Sequence, residues 1–386
     1  MPATKALVDL LNRARPIIEQ AQSLYAEAEP LIDQAKKEWQ TVGPAAQILI
    51  DVISHHINRG SSPAEAAETV RAALDGSIKS VAQDDLTDRI MNCATVFGGT
   101  GFVGRRVVRH LHEIGTKVRV VSRHRGLAET DGVEQIAADA HDERRIEAAL
   151  AGADGAVNAI SLYVERGSDT FHSVHVEAAG KIAKTARQAG IRRFVHISGI
   201  GANTASSSTY IRSRGEGEAA VQTAFPDAVI VRPAVMFAAD DGFLTTILRL
   251  LRSLPAYPIF GAGRTRLQPV HADDVAAAIT QILRQSHKPY PVYELAGPRA
   301  YSYEELLQTI ARIAGLRPVL MRIPFALWDG LAGLAERLPQ PPLTRNQVEL
   351  MQIDTTASEN LPGFHSLGIS PRSLEDELGA ILGRSE

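Results

Sequence analysis

One stretch constrains this chain more than any other: Ala94-Thr-Val-Phe-Gly-Gly-Thr-Gly-Phe-Val-Gly-Arg105. A short apolar run meets a cluster of glycines, and Val107, Val108 and Leu111 then recur at helical spacing. The pattern predicts a buried parallel strand, a tight turn and a helix. Gly99, Gly101 and Gly104 fit G-x-G-x-x-G, with Gly98 as a further glycine. Glycines at the turn let a pyrophosphate lie against backbone N–H groups at the helix N-terminus, and the last lets helix pack closely on strand. The candidate contacts run from Gly98 and Gly99 through Thr100, Gly101, Phe102 and Val103 to Gly104. A purely structural glycine turn is the alternative, and the readable strand and helix on either side favour a dinucleotide.

With 386 residues the chain has room for two or three domains. Its 41 basic and 44 acidic residues leave a net charge of -3, which gives no electrostatic reason to expect nucleic acid. The single cysteine, Cys93, cannot form an internal disulfide and reads as a small buried hydrophobe in a reduced, cytoplasmic setting. Met1 to Glu27 holds no continuous apolar core of a signal peptide, and no stretch reads as a membrane span. The expected protein is soluble or peripheral.

Residues 1–90 differ in character from the rest of the chain. Leu7, Leu11, Ala14, Ile18, Ala21, Tyr25, Ala28, Ile32, Ala35 and Trp39 alternate in steps of three and four, a heptad-like helical stripe that Pro16 and Pro30 interrupt. This extension reads either as a small helical bundle or as an arm for self-association or docking. His55-His56 have no partner at metal-ligand spacing, so no metal is expected. Asp84 to Arg89 reads as a linker. The expected organisation is an N-terminal helical extension at 1–90, a nucleotide-binding domain at 91–315 whose C-terminal lobe starts near 233, and an amphipathic region at 316–386.

From Met91 onward strands and helices alternate, which predicts a doubly wound parallel α/β sheet of the Rossmann type. Strands are expected at Lys117–Ser122, Val133–Ala138, Gly155–Ile160, Arg193–Ser198 and Ala228–Arg232. Helices are expected at Phe102–Ile114, Glu143–Ala151, Val174–Ala189 and Tyr210–Ala224. A carboxylate about twenty residues past the glycines would bind the ribose 2′-hydroxyl and signal NAD. Ser122-Arg-His-Arg125 stands there instead, and the planar fork of Arg123 suits a 2′-phosphate. NADP(H) is therefore favoured, with NAD(H) the alternative if Arg123 and Arg125 are only solvated loop charges, and Arg105 is a second cation expected near the phosphate. Asp139, after the third strand, is expected at the adenine edge, and Asn158, in the fourth, near the cofactor.

These features resemble the atypical short-chain dehydrogenase/reductase superfamily. GGTGFVG, the arginine after the second strand, Asp139 and Tyr210 carry the resemblance. RFVHIS, SSSTYIRSRGEGE, AFPDAVIVRPAVMF, LQPVHADDVAAAI, LTRNQVELMQIDTT and LPGFHSLGI narrow it to the branch of the NAD(P)H-binding accessory subunit of respiratory complex I and its bacterial relatives. The resemblance runs from Met91 to the C-terminus. It implies a nucleotide held tightly with weak or no turnover, a link to quinone or respiratory-chain function, and contact with a respiratory complex or the inner-membrane surface. Two alternatives stay open: an active NADP-dependent reductase, epimerase or dehydratase on a quinone, sugar or isoprenoid-like substrate, and an assembly scaffold with a vestigial site.

The superfamily usually works with Tyr-x-x-x-Lys and a Ser or Thr after the fifth strand. The phenol moves a proton, the lysine lowers its pKa and holds the nicotinamide ribose, and the hydroxyl positions substrate. Here the pair is Tyr210 and Arg214, and the hydroxyl position falls on Ser198 or on Gly199, which has none. Arginine keeps the charge in a larger, planar head, so the exchange is not conservative at such a site. Tyr210 and Arg214 are expected to hold the nicotinamide ribose, and with Ser198 they make a compromised catalytic set.

Towards the C-terminus, His271 beside a crevice reads as a packed structural histidine, Asp273 or Asp274 as a helix cap, and Ser302 with Glu305 as a capping box. Leu327, Leu331, Leu334 and Leu338 share a helical face with Phe325 and Trp328, flanked by Arg322 and Arg337. That face is either core or a surface for a partner or membrane. Pro339 to Pro342 reads as an extended linker.

Overall fold

The computed structural model describes residues 91–123, 131–285, 289–338 and 343–383. The N-terminal extension, its linker, Arg125 and the proline-rich linker lie outside them.

The glycine motif sits where the sequence places it. Strand β1 (Cys93–Phe97) runs into the glycine turn and helix α1 (Gly104–Glu113). Next come β2 (Lys117–Ser122), β3 (Val133–Ala137), α2 (Glu143–Leu150) and β4 (Gly155–Asn158). A π-helical turn (Ser173–Ala178) leads without a break into α3 (Ala179–Gln188), β5 (Arg193–Ile197), α4 (Thr209–Ala224) and β6 (Val229–Pro233). The expected helix at Val174 therefore begins as a wider turn. Other boundaries move by one or two residues, and Ala138 and Ser198, just past their strands, still donate to Ser122 O and Val231 O.

After the short β7 (Met236–Phe237) come α5 (Gly242–Ser253), β8 (Ala256–Phe260), β9 (Arg266–Leu267) and β10 (Val270–His271). Helix α6 (Ala272–Arg284) returns to β11 (Val292–Leu295), followed by β12 (Tyr301–Ser302) and α7 (Tyr303–Ile313). The chain ends through β13 (Val319–Ile323), α8 (Phe325–Ala335), α9 (Arg345–Leu350) and α10 (Leu374–Gly383).

Seven parallel strands form the main sheet in the order β11-β6-β5-β4-β1-β2-β3. Both faces are covered, which explains why the strands read as near-continuous apolar runs. Successive side chains alternate between the faces. Val96 joins Val107, Leu111 and Ile279 under α1 and α6, while Phe97 joins Ile146, Ile182 and Val221 under α2, α3 and α4. Strand order reverses between β1 and β4, and in such sheets ligands bind in the crevice outside the carboxyl ends at that switch point.

A smaller lobe has its own core of Leu244, Ile259, Leu306, Ile310 and Leu378. Strand β13 pairs in parallel with β8, so residues on both sides of the boundary drawn at 316 build this lobe. The capping box of Ser302 and Glu305 forms on α7. On α6 the cap is His271, whose Nδ1 accepts from the Asp273 N–H at 3.3 Å. This corrects the expected role of Asp273 and Asp274, which lie in the first turn. Asp274 instead accepts from the backbone and guanidinium of Arg372, each at 2.8 Å. His271 is buried and packs edge-on against Phe237.

Helix α8 resolves the question of the leucine stripe. Trp328 turns inward, stacking on Phe260 with centroids 4.4 Å apart and donating from Nε1 to the Ile259 carbonyl. Leu327, Leu331, Leu334 and Leu338 are 61%, 52%, 60% and 55% exposed, so they are surface and not core. Among the described residues, no helix is long and apolar enough to cross a membrane.

Candidate functional site

The carboxyl ends of β1, β2, β3 and β4 enclose a cleft of about 340 Å³. Its floor is the glycine turn. Gly98 has φ +73°, its N–H donates to Val121 O, and its carbonyl accepts from the Gly101 N–H at 2.9 Å. A Cβ on Gly104 would stand 2.1 Å from that same carbonyl. The working glycines are thus Gly98, Gly101 and Gly104, three apart, and Gly99 fills a different need: its Cβ would press on Val120 at 2.9 Å. Helix α1 starts without a side-chain cap and without an acid in its first turn, which leaves its positive end suited to an anion.

Of the sequence candidates, Gly98, Thr100, Gly101, Arg123 and Asp139 line the cleft. Gly99, Val103 and Gly104 shape it from behind, and Phe102 lies under the guanidinium of Arg106, 4.4 Å from ring centroid to Cζ. Arg105, expected near the phosphate, instead pairs with Asp240 alongside Arg106. The attraction of a carboxylate on the smaller lobe holds both arginines off the cleft. Asn158 is buried behind the wall. Its Nδ2 meets His196 Nδ1 at 3.1 Å, and its Oδ1 accepts from the Ile160 N–H, shaping the turn that lines the cleft.

Ser161, His141 and Asp169 also line the cleft, and sequence reasoning missed them. The one signal for Ser161 was its position just past the fourth strand. Asp169, which meets Arg123 at 2.5 Å, had none. It comes 46 residues after Arg123 in a segment without periodicity.

Tyr210 and Arg214 sit beside the cleft in a sealed compartment. They lie one turn apart on α4, which Ser208 caps by accepting from the Ile211 N–H. Tyr210 is 7% exposed and Arg214 5%. Tyr163 stacks on Tyr210 at 5.7 Å, and Phe171 and His175 meet it edge-on at 5.4 and 5.5 Å. Arg214 donates from Nε and Nη2 to the phenol oxygen at 3.3 and 3.1 Å, from Nη1 to Ile197 O, and from Nη2 to Ser161 Oγ at 2.6 Å. Its larger head thus ties the tyrosine to β5 and to the cleft wall.

Burial pushes the Tyr210 phenol up to about 12, against the opposing pull of Arg214. An adjacent cation that would activate an exposed phenol is outweighed here by exclusion of water. His175 is held near 2 by burial and then by Arg214, and His196 near 3 by the same causes. His175 Nε2 accepts from the Leu162 N–H, so Nδ1 carries the proton and donates to Ser213 Oγ, which donates on to Tyr210 O.

Ser198 is buried at the end of β5, and its Oγ has no hydrogen-bond partner. A Cβ at Gly199 would meet nothing nearer than Pro233 O at 4.0 Å, so packing does not demand glycine there. Among the described residues, no three His, Cys, Asp or Glu side chains are placed to hold a metal. Cys93 is half-buried, and burial raises its thiol pKa, which keeps it unreactive.

A switch-point cleft floored by glycines defines a nucleotide-binding Rossmann protein. The family model of the NAD dependent epimerase/dehydratase family matches residues 94–296, and the chain belongs to that family. It is 31% identical over 301 residues to the mitochondrial NADH dehydrogenase [ubiquinone] 1 alpha subcomplex subunit 9 of Arabidopsis thaliana, covering 73% of this chain and 75% of that one. It is 30% identical over 238 residues to a ceramide reductase of Caulobacter vibrioides, covering 59% of this chain and 73% of that one. The solved structure of MoeE5 in complex with UDP-glucuronic acid and NAD has the same fold, with a TM-score of 0.57 and 20% identity over 76% of this chain and 99% of that one.

Proposed function

We propose that this protein retains NADP(H) in the switch-point cleft and turns it over slowly or not at all, as an accessory nucleotide-binding subunit of a respiratory NADH dehydrogenase. The observation that carries this reading is the contrast at the site. The cleft has its glycine floor and a lining arginine, while Tyr210 is packed under Tyr163, Phe171 and His175 with its phenol near 12. Proton transfer near neutral pH needs a group whose pKa lies closer to that pH and within reach of substrate. Arg214, spent on Ile197 O, Ser161 and the phenol, favours a structural use of the pair.

Gly98, Thr100 and Gly101 with the start of α1 hold the pyrophosphate, Arg123 the 2′-phosphate, and Asp139 the adenine edge. Arg214 reaches the nicotinamide half only through Ser161. Bound nucleotide supplies a hydride when reduced, and its retention stabilises the fold because only the folded chain binds it. The exposed leucine stripe of α8 supports contact with a respiratory assembly or the membrane beside it, and with that a peripheral location on the inner membrane.

The purified protein tests this directly. Near-ultraviolet absorption of reduced nicotinamide should accompany it through gel filtration, and added quinone or carbonyl acceptors should bleach it slowly. Multiple turnover abolished by Tyr210→Phe would make it an ordinary reductase, as the similarity to the ceramide reductase would then suggest.

A further inference from the structure

The cleft contains a competitor for its own phosphate-binding arginine. Arg123, at the end of β2, has a side chain 59% exposed, and its Nη1 lies 2.5 Å from Asp169 Oδ2. Asp169 belongs to the segment between β4 and the π turn, and both residues line the same cavity. That segment is a closed strap. Arg166 and Asp169 exchange backbone hydrogen bonds at 3.0 Å, Glu165 Oε1 accepts from the Phe171 N–H at 2.7 Å, and the Leu162 N–H is held by His175. The same strap carries Tyr163, the lid of Tyr210.

We propose that Asp169 moderates the preference for NADP(H) by competing with the 2′-phosphate for Arg123, so that NADP(H) and not NAD(H) frees the strap at Asp169. The inference rests on the proposed role of Arg123 in NADP(H) binding. A 2′-phosphate brings about two negative charges and three acceptor oxygens where the carboxylate brings one charge and two oxygens, so it displaces Asp169 from the guanidinium fork. Once bound, it also repels the carboxylate. A ribose 2′-hydroxyl carries no charge and leaves the ion pair intact. The release is confined to the turn between Arg166 and Asp169, and Tyr163 stays packed on Tyr210.

Exposed ion pairs are weak, so displacement costs NADPH about two- to fivefold in affinity. Asp169→Asn in the full chain should therefore tighten NADPH by that factor in calorimetric titration and leave NADH within error. Trypsin provides a second readout, because the exposed Arg166–Gly167 bond lies in the strap. NADPH should speed cleavage there, followed as the peptide ending at Arg166 by mass spectrometry, and NADH should not. A thermal melt of the variant confirms its folding. NADPH affinity unchanged or weakened by Asp169→Asn overturns the proposal, as does protection of Arg166 by NADPH. If wild type binds both nucleotides equally and Arg123→Ala changes neither, the assignment of Arg123 itself fails. NADPH preference that survives Asp169→Asn unchanged sinks only the competition.

Discussion

Two neighbouring compartments meet at the ends of the same strands, and they differ in what they keep out. The nucleotide cleft is lined by the glycine turn, by apolar side chains such as Val121, Ile160 and Leu162, and by polar ones, with Arg123 and Asp139 reaching solvent. The Tyr210 compartment is lined by rings, and its one cation is 5% exposed. Ser161 belongs to both, lining the cleft and accepting from Arg214. In a working enzyme of this architecture the two would have to be continuous, since hydride and proton reach the same substrate. Here Ser161 is the contact between them while Tyr210 is only 7% exposed, and the proposed reading of retained nucleotide with little turnover rests on that contrast.

The largest expected effect breaks the sealed compartment with acid. The folded pKa values of His175 and His196, about 2 and about 3, lie below the usual 6.5. An unfolded chain takes up these protons first as pH falls, so their contribution is fully present above pH 6.5 and is lost below it. The slope is about 1.4 kcal/mol per pH unit for each ring, or about 5 kcal/mol for both at two units below. Urea denaturation at a series of pH values checks this, and a midpoint flat from pH 7 to 5 would mean the rings are solvated.

Gly104→Ala attacks the other compartment. The new Cβ meets backbone, which cannot rotate away, so the turn must open at a cost of about 3 kcal/mol. Loss of co-purifying nucleotide together with a lowered melting temperature is the expected result. Arg123→Ala should be gentler, weakening NADPH by about 2 kcal/mol, roughly thirtyfold, with little change for NADH and in the melt. Equal losses for the two nucleotides would remove Arg123 from the 2′-position. The smallest effect on stability belongs to Leu331→Glu, within about 0.5 kcal/mol, since the side chain is 52% exposed. Its effect should appear in flotation with anionic vesicles or in retention on respiratory membranes. A variant that still floats, or one that unfolds, would contradict the surface role.

The cleft was legible because a sheet of this kind is written in local signals. Apolar runs mark buried strands, and glycines mark the turn at Gly98, so β2 at Lys117–Ser122 could be placed to the residue. The sealed compartment was not. Tyr163, Phe171 and His175 come from a strap and a π turn, and no periodicity marks a side chain whose ring will stack on a residue 47 positions later (163 to 210). Arg105 and Arg123 look alike in sequence. Each meets a carboxylate far along the chain, Arg105 that of Asp240 on the smaller lobe and Arg123 that of Asp169 in the cleft, and only the second pair lines the cavity. The leucine stripe was readable as a stripe, but only the inward turn of Trp328 decided which side faces water.

The π turn at Ser173–Ala178 has a consequence for the numbering of the helix itself. Its wider loop absorbs one residue beyond what an α-helical turn holds. Deleting a single residue there would let the segment relax to ordinary pitch. The turns on either side would keep their register with α3, because the extra residue is taken up locally. The change would fall on the turn itself, where His175 would lose its hold on Ser213 and on the Leu162 N–H. One codon therefore separates a turn that braces the compartment from one that does not. Insertion and deletion, more than substitution, are the changes by which a fold of this kind would gain or lose its chemistry.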